Sequence, residues 1–72
     1  MSLLSYTVKE ELEARGIPLD LFRASMGWGE HELVTFFEQD RKPYLRDVER
    51  MAEFFGVSVQ FIWNLSRVTD RL

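Results

Sequence analysis

The stretch "MAEFFGVSVQFI", residues 51–62, contains the end of one helix, a stop and the start of another. Met51, Ala52 and Phe55 share a helical face with Leu45 and Val48, at the three- and four-residue spacing of a buried stripe. Gly56 suits the left-handed residue that closes a helix. Ser58 is a good N-cap, because its hydroxyl can accept from the backbone of the next first turn. Val59, Ile62 and Leu65 then point inward. This reading predicts helix 4 over Tyr44–Phe55 and helix 5 starting after Ser58.

The same punctuation continues towards the N-terminus. Helix 3 is predicted over Glu30–Gln39, with Gly29 as N-cap, Glu32 in the first turn and Leu33, Phe36 and Phe37 on one side. Helix 2 is predicted over Pro18–Met26, with Leu19, Phe22 and Met26 inside and Gly27 as its stop. Helix 1 is predicted over Val8–Arg15. Thr7 and Glu10 have the spacing of a capping box, and Gly16 follows as the stop. No alternating run and no Asn-Gly or Asp-Gly turn suggests a strand. The expected class is therefore all-α: five short helices in a single domain over residues 1–72, with a core over 7–65 and a polar tail over 66–72.

In this register the chain resembles the lambda-repressor-like, or XRE-type, helix-turn-helix family. "MAEFFGVSVQFI" looks like that family's fourth helix, Gly-Val-Ser junction and fifth-helix start. Pro43 falls where a proline usually precedes helix 4. Gly27 falls on the turn glycine between helices 2 and 3. Leu33 and Phe36 fall on the buried positions of the recognition helix, and Arg15-Gly16-Ile17 on the junction of helices 1 and 2. The ungapped match covers about residues 8–65. Four positions depart from the pattern. Leu19 stands where glutamine is common, and Pro18 replaces a capping serine. Arg23 sits where a small alanine lets two helices approach, so it must snorkel outward or the helix crossing must open. Tyr44 replaces the usual helix-4 cap.

The resemblance implies a compact five-helix DNA-binding domain whose third helix enters the major groove. Carried over residue by residue, the base-facing set is Gly29, Glu30, His31, Val34 and Thr35. Phosphate contacts are expected around Leu19, Arg23, Arg41, Lys42 and Arg46. Glutamate can accept from cytosine N4, histidine can donate to guanine, and Val34 or Thr35 can touch a thymine methyl. The family also implies homodimers built near helix 5, where Phe61 and Trp63 point away from Ile62 and Leu65.

Charge pulls against this expectation. The chain has 72 residues and a net charge of −3, whereas nucleic-acid binders tend to be basic. From Gly29 to Glu38 there are three acids and no Lys or Arg. The expected function is a sequence-specific transcriptional regulator of phage or bacterial repressor type, bound to double-stranded DNA as a homodimer. Two alternatives stay open: a helix-turn-helix fold whose acidic helix 3 contacts protein, in an antirepressor or assembly role, and an antitoxin component. With no cysteine and one histidine, disulfides and thiolate or multi-histidine metal sites are excluded. Nothing pairs a nucleophile with a base, so no enzyme activity and no cofactor are expected. No apolar run approaches membrane-spanning length and the start lacks a signal-peptide pattern, so a cytoplasmic protein without membrane contact is expected.

Overall fold

The computed structural model describes residues 2–67. It contains five α-helices: α1 Leu3–Arg15, α2 Leu19–Met26, α3 Glu30–Glu38, α4 Leu45–Phe55 and α5 Val59–Arg67. Among the described residues there is no strand, and no helix is long and apolar enough to cross a membrane. α4 packs on α5 and on α2, while α1 packs on α5 and on α3.

The start of α1 differs from the sequence expectation. The helix begins at Leu3, and Thr7 lies inside it rather than capping it. Ser2 is the cap, and its Oγ accepts from the Ser5 amide at 3.1 Å. The reason lies in the apolar stripe. Leu4, Val8 and Leu12 recur every four residues and are all buried, so one more helical turn adds Leu4 to the core. The core therefore begins at residue 4 instead of 7, and α5 carries ordered structure to Arg67. Residues 68–72 of the expected tail lie outside the described residues.

The other boundaries fall within a residue of expectation. Pro18 and Tyr44 serve as N-caps and not as first helical residues, and α3 closes at Glu38 with Gln39 as its C-cap. Gly16, Gly27 and Gly56 all take the left-handed conformation expected of helix stops. At Ser58 the hydroxyl accepts from the Phe61 amide at 3.1 Å.

Phe22 is the hub of the interior. It is 0 % exposed. Its ring lies 5.5 Å from Phe54, 5.8 Å from Trp28, 6.0 Å from Phe55 and 6.3 Å from Phe37 between centroids. Three of these pairs are edge-to-face, the arrangement that the ring quadrupole favours. Trp28 reaches this cluster from the short connection between α2 and α3, so the turn itself is anchored by a buried side chain.

Three residues assigned to the inner stripes are exposed: Leu19 at 46 %, Leu45 at 59 % and Val59 at 41 %. Each is the first residue of its helix. A helical Cα–Cβ bond tilts towards the N-terminus, so a first-residue side chain leans off the end of the helix and past the core. Spacing alone places these residues on the right stripe but does not register that the stripe ends one residue later.

Candidate nucleic-acid interface

The α2–α3 connection sets the direction of α3. Gly27 has φ 71°, and its amide donates to Ala24 while the Trp28 amide donates to Arg23. These bonds close α2 in a Schellman-type stop. A Cβ at Gly27 would lie 2.9 Å from Nη1 of Arg50, whose guanidinium donates to the Met26 carbonyl at 2.6 Å. Gly27→Ala therefore combines left-handed strain with displacement of Arg50. It is expected to destabilise the fold by about 1–2 kcal/mol, read as a lower urea midpoint by circular dichroism.

From that turn α3 presents Gly29, Glu30, His31, Val34 and Glu38 outward, all exposed. Two of its polar side chains turn back. Glu32 Oε1 accepts from the Gly29 amide at 3.0 Å, so this carboxylate caps its own helix, where it also complements the helix dipole. Thr35 belongs to the interior instead of the base-facing set. It is buried, its hydroxyl donates to the Glu32 carbonyl at 3.0 Å, and the same oxygen accepts from Arg41 Nε at 3.2 Å. Thr35 lies one turn after His31 on the side of α3 that faces the loop, and the amphipathic pattern did not separate these two positions.

The residues expected to touch phosphate divide into two groups. Arg23 snorkels, as its position requires. Its Nη2 pairs with Asp20 at 3.0 Å and its Nη1 donates to the Trp28 carbonyl at 2.8 Å. Arg41 is held even more closely. Its guanidinium lies 5.1 Å above the Trp28 ring and 5.7 Å from the Tyr44 ring, with Nη1 3.6 Å from Asp47. Both arginines hold the fold together. Lys42 and Arg46 are exposed, and Arg46 leans on the Tyr44 ring at 5.8 Å. Leu19, exposed at the first position of α2, offers only an apolar surface.

Asp47 is the residue that sequence reasoning missed. It is 2 % exposed, yet it accepts from Trp28 Nε1 at 3.2 Å and from the Tyr44 amide at 3.0 Å, besides pairing with Arg41. One carboxylate thus ties the α2–α3 turn to the start of α4. The available signal was its place three residues after Tyr44, the same spacing as Glu32 after Gly29. Above this anchor lies an open cleft of about 330 Å³, with Trp28, His31, Arg41, Arg46 and Arg50 among its walls. Arg41 Nη2 is buried there without an acceptor among the described residues.

No family model, curated protein or solved structure matches the chain. Among the described residues, no group of three His, Cys, Asp or Glu side chains is placed to hold a metal ion.

On α5, Phe61 and Trp63 are both exposed but do not share a surface. Two helical residues two apart point about 200° apart. Phe61 lies beside Arg15, Phe55 and Ile62, whereas Trp63 lies beside Lys42 and Pro43. The expected partner surface is thus two separate features.

Proposed function

We propose that this protein is a sequence-specific regulator of the lambda-repressor-like helix-turn-helix type, which places α3 in the major groove of double-stranded DNA and acts as a homodimer. One observation carries the reading. A two-helix unit, tied by Trp28 and Asp47, holds the start of α3 outward beside Arg46, and both Arg46 and Lys42 of the α3–α4 loop are exposed and bound to no acceptor among the described residues.

Three features of the site support it. Withdrawal of Glu32 onto the Gly29 amide leaves Glu30 as the one acid at the outward tip of α3, poised to accept from a cytosine amino group. His31 and Val34 supply a donor and an apolar contact on the same face. Lys42 and Arg46 supply charge for phosphate neutralisation, the sequence-independent part of affinity. Phe61, exposed on the far side of α5 from Trp63, is the dimer contact.

One observation favours a second reading, in which α3 binds a basic protein surface in an antirepressor or assembly role. Arg23 and Arg41 are held by internal acceptors, so the neighbourhood of α3 is less cationic than the sequence suggests.

Selection from random duplexes followed by gel shift across a salt series separates the two. DNA binding predicts an enriched site and an affinity that falls with salt. Lys42 and Arg46 alone contribute about −3.6 to a dimer's log–log slope, or roughly 10²-fold between about 50 and 200 mM. His31→Ala is expected to change the enriched sequence, and Lys42→Ala with Arg46→Ala to weaken all duplexes alike. No binding to any duplex at about 50 mM salt overturns the proposal and favours the protein-contact reading.

A further inference from the structure

The structure brings together two residues that the sequence assigned to different jobs. Lys42, expected at a phosphate, and Trp63, expected at a partner, line the same cleft of about 300 Å³, together with Pro43, Ser66 and Arg67. The whole of α4 separates Lys42 from Trp63 in the sequence. We infer that Lys42, Trp63 and Arg67 form a phosphodiester-binding cleft that extends the DNA-contacting surface from the α3–α4 loop onto α5. The inference rests on the DNA-binding reading above and adds α5 to it.

Several of the chain's arginines are engaged inside the fold. Arg15 pairs with Glu11 and reaches the Phe55 carbonyl, Arg23 is held by Asp20, Arg41 by Asp47, and Arg50 by the Met26 carbonyl. Lys42 and Arg67 have no such acceptor among the described residues, and both face this cleft. Among the described residues no carboxylate lines it, although the chain carries twelve acids against nine Lys and Arg. Two full positive charges thus line one cleft together with Trp63, with no acid among its described walls. The C-terminal end of α5 opposes an anion there, but its dipole is equivalent to only about half a charge. Trp63 completes the chemistry, because its indole N–H donates and its ring offers an apolar face to a sugar. Lys42 sits in the loop that joins α3 to α4, and Arg46 stands in the first turn of α4, so the cleft adjoins the connection that follows α3. An acidic peptide would also meet two cations, but it would not need the continuity with α3 that the fold provides.

Three measurements on the full chain test this. The salt slope of binding to the selected duplex is expected to fall in magnitude by about 1.8 per dimer for Arg67→Ala, one contact of about 0.9 in each protomer. Lys9→Ala, a cation on α1 outside the cleft, is expected to leave the slope unchanged. Saturating duplex is expected to protect Trp63 from acrylamide quenching, whereas Trp28 is buried with or without DNA. Sedimentation equilibrium is expected to show the same association state for Trp63→Ala as for the unaltered chain. An unchanged slope in Arg67→Ala, together with unprotected Trp63 in a chain that binds duplex, overturns the cleft and leaves the DNA-binding reading intact. Dissociation of the dimer by Trp63→Ala assigns that ring to a protein interface and also overturns it. No duplex binding by the unaltered chain overturns both.

Discussion

Phe22→Ala is expected to destabilise the protein by about 3–5 kcal/mol. The side chain is 0 % exposed and is ringed by Trp28, Phe37, Phe54 and Phe55. Truncation loses the transfer free energy of a benzyl group and leaves a cavity between four rings held by α3, α4 and the α2–α3 turn. Those rings cannot collapse together without moving α2 against α4. A domain of this length has roughly 4–11 kcal/mol of stability to lose, so the substitution removes about a quarter of it or more. Urea unfolding followed by circular dichroism reads this directly. Phe61→Ala provides the contrast: an equal truncation at an exposed ring is expected to change monomer stability by less than about 0.5 kcal/mol. Equal losses at the two sites would show that the core is not centred on Phe22.

Asp47→Ala is expected to cost nearly as much, about 3–5 kcal/mol, for a different reason. Little apolar surface is lost. Instead the buried Trp28 N–H and the Tyr44 amide lose their acceptor, and Arg41 loses its counter-charge while its Nη2 is already buried without one. Asp47→Asn retains a carbonyl oxygen for one donor but places an amide N–H₂ towards either the other donor or Arg41, so it is expected to fall between the two. A double-mutant cycle with Trp28→Phe isolates the indole contact, and a coupling of about 0.5–3 kcal/mol is expected. Additive losses would mean that Asp47 acts only as the cap of α4. Asp47 fixes the α2–α3 turn to the start of α4, so under the proposed DNA-binding role Asp47→Asn is expected to weaken duplex binding under conditions where the chain remains folded.

The helical elements were largely readable because their signals are local. Gly16, Gly27 and Gly56 need only their own backbone to stop a helix, and Ser58 needs only the first turn of α5. The start of α1 was misplaced because two local signals competed. Thr7 with Glu10 makes a plausible box, but burial of Leu4 below Val8 outweighs it. Apolar spacing likewise placed Phe22, Met26, Val48, Met51 and Ile62 correctly in the core. It failed at Leu19, Leu45 and Val59, where the side chain leans off the helix end.

The candidate site was legible in position but not in chemistry. Spacing put Glu30, His31 and Val34 on the outward face of α3, where they stand. It could not show that Thr35 is drawn inward by Arg41 or that Glu32 caps its own helix. Nor could it show that Arg23 and Arg41 are engaged inside the fold while Lys42 and Arg46 are not. Each of these outcomes depends on which acceptor lies within about 3 Å of a long side chain, and those acceptors come from other elements. By itself the sequence determined five helices, their order and most of their ends, because stops, caps and the 3.6-residue period act within a few neighbouring residues. Only the tertiary structure decided which charges remain for a partner and that Lys42 meets Trp63 and Arg67, because pairing across separate helices is settled by how their buried faces pack.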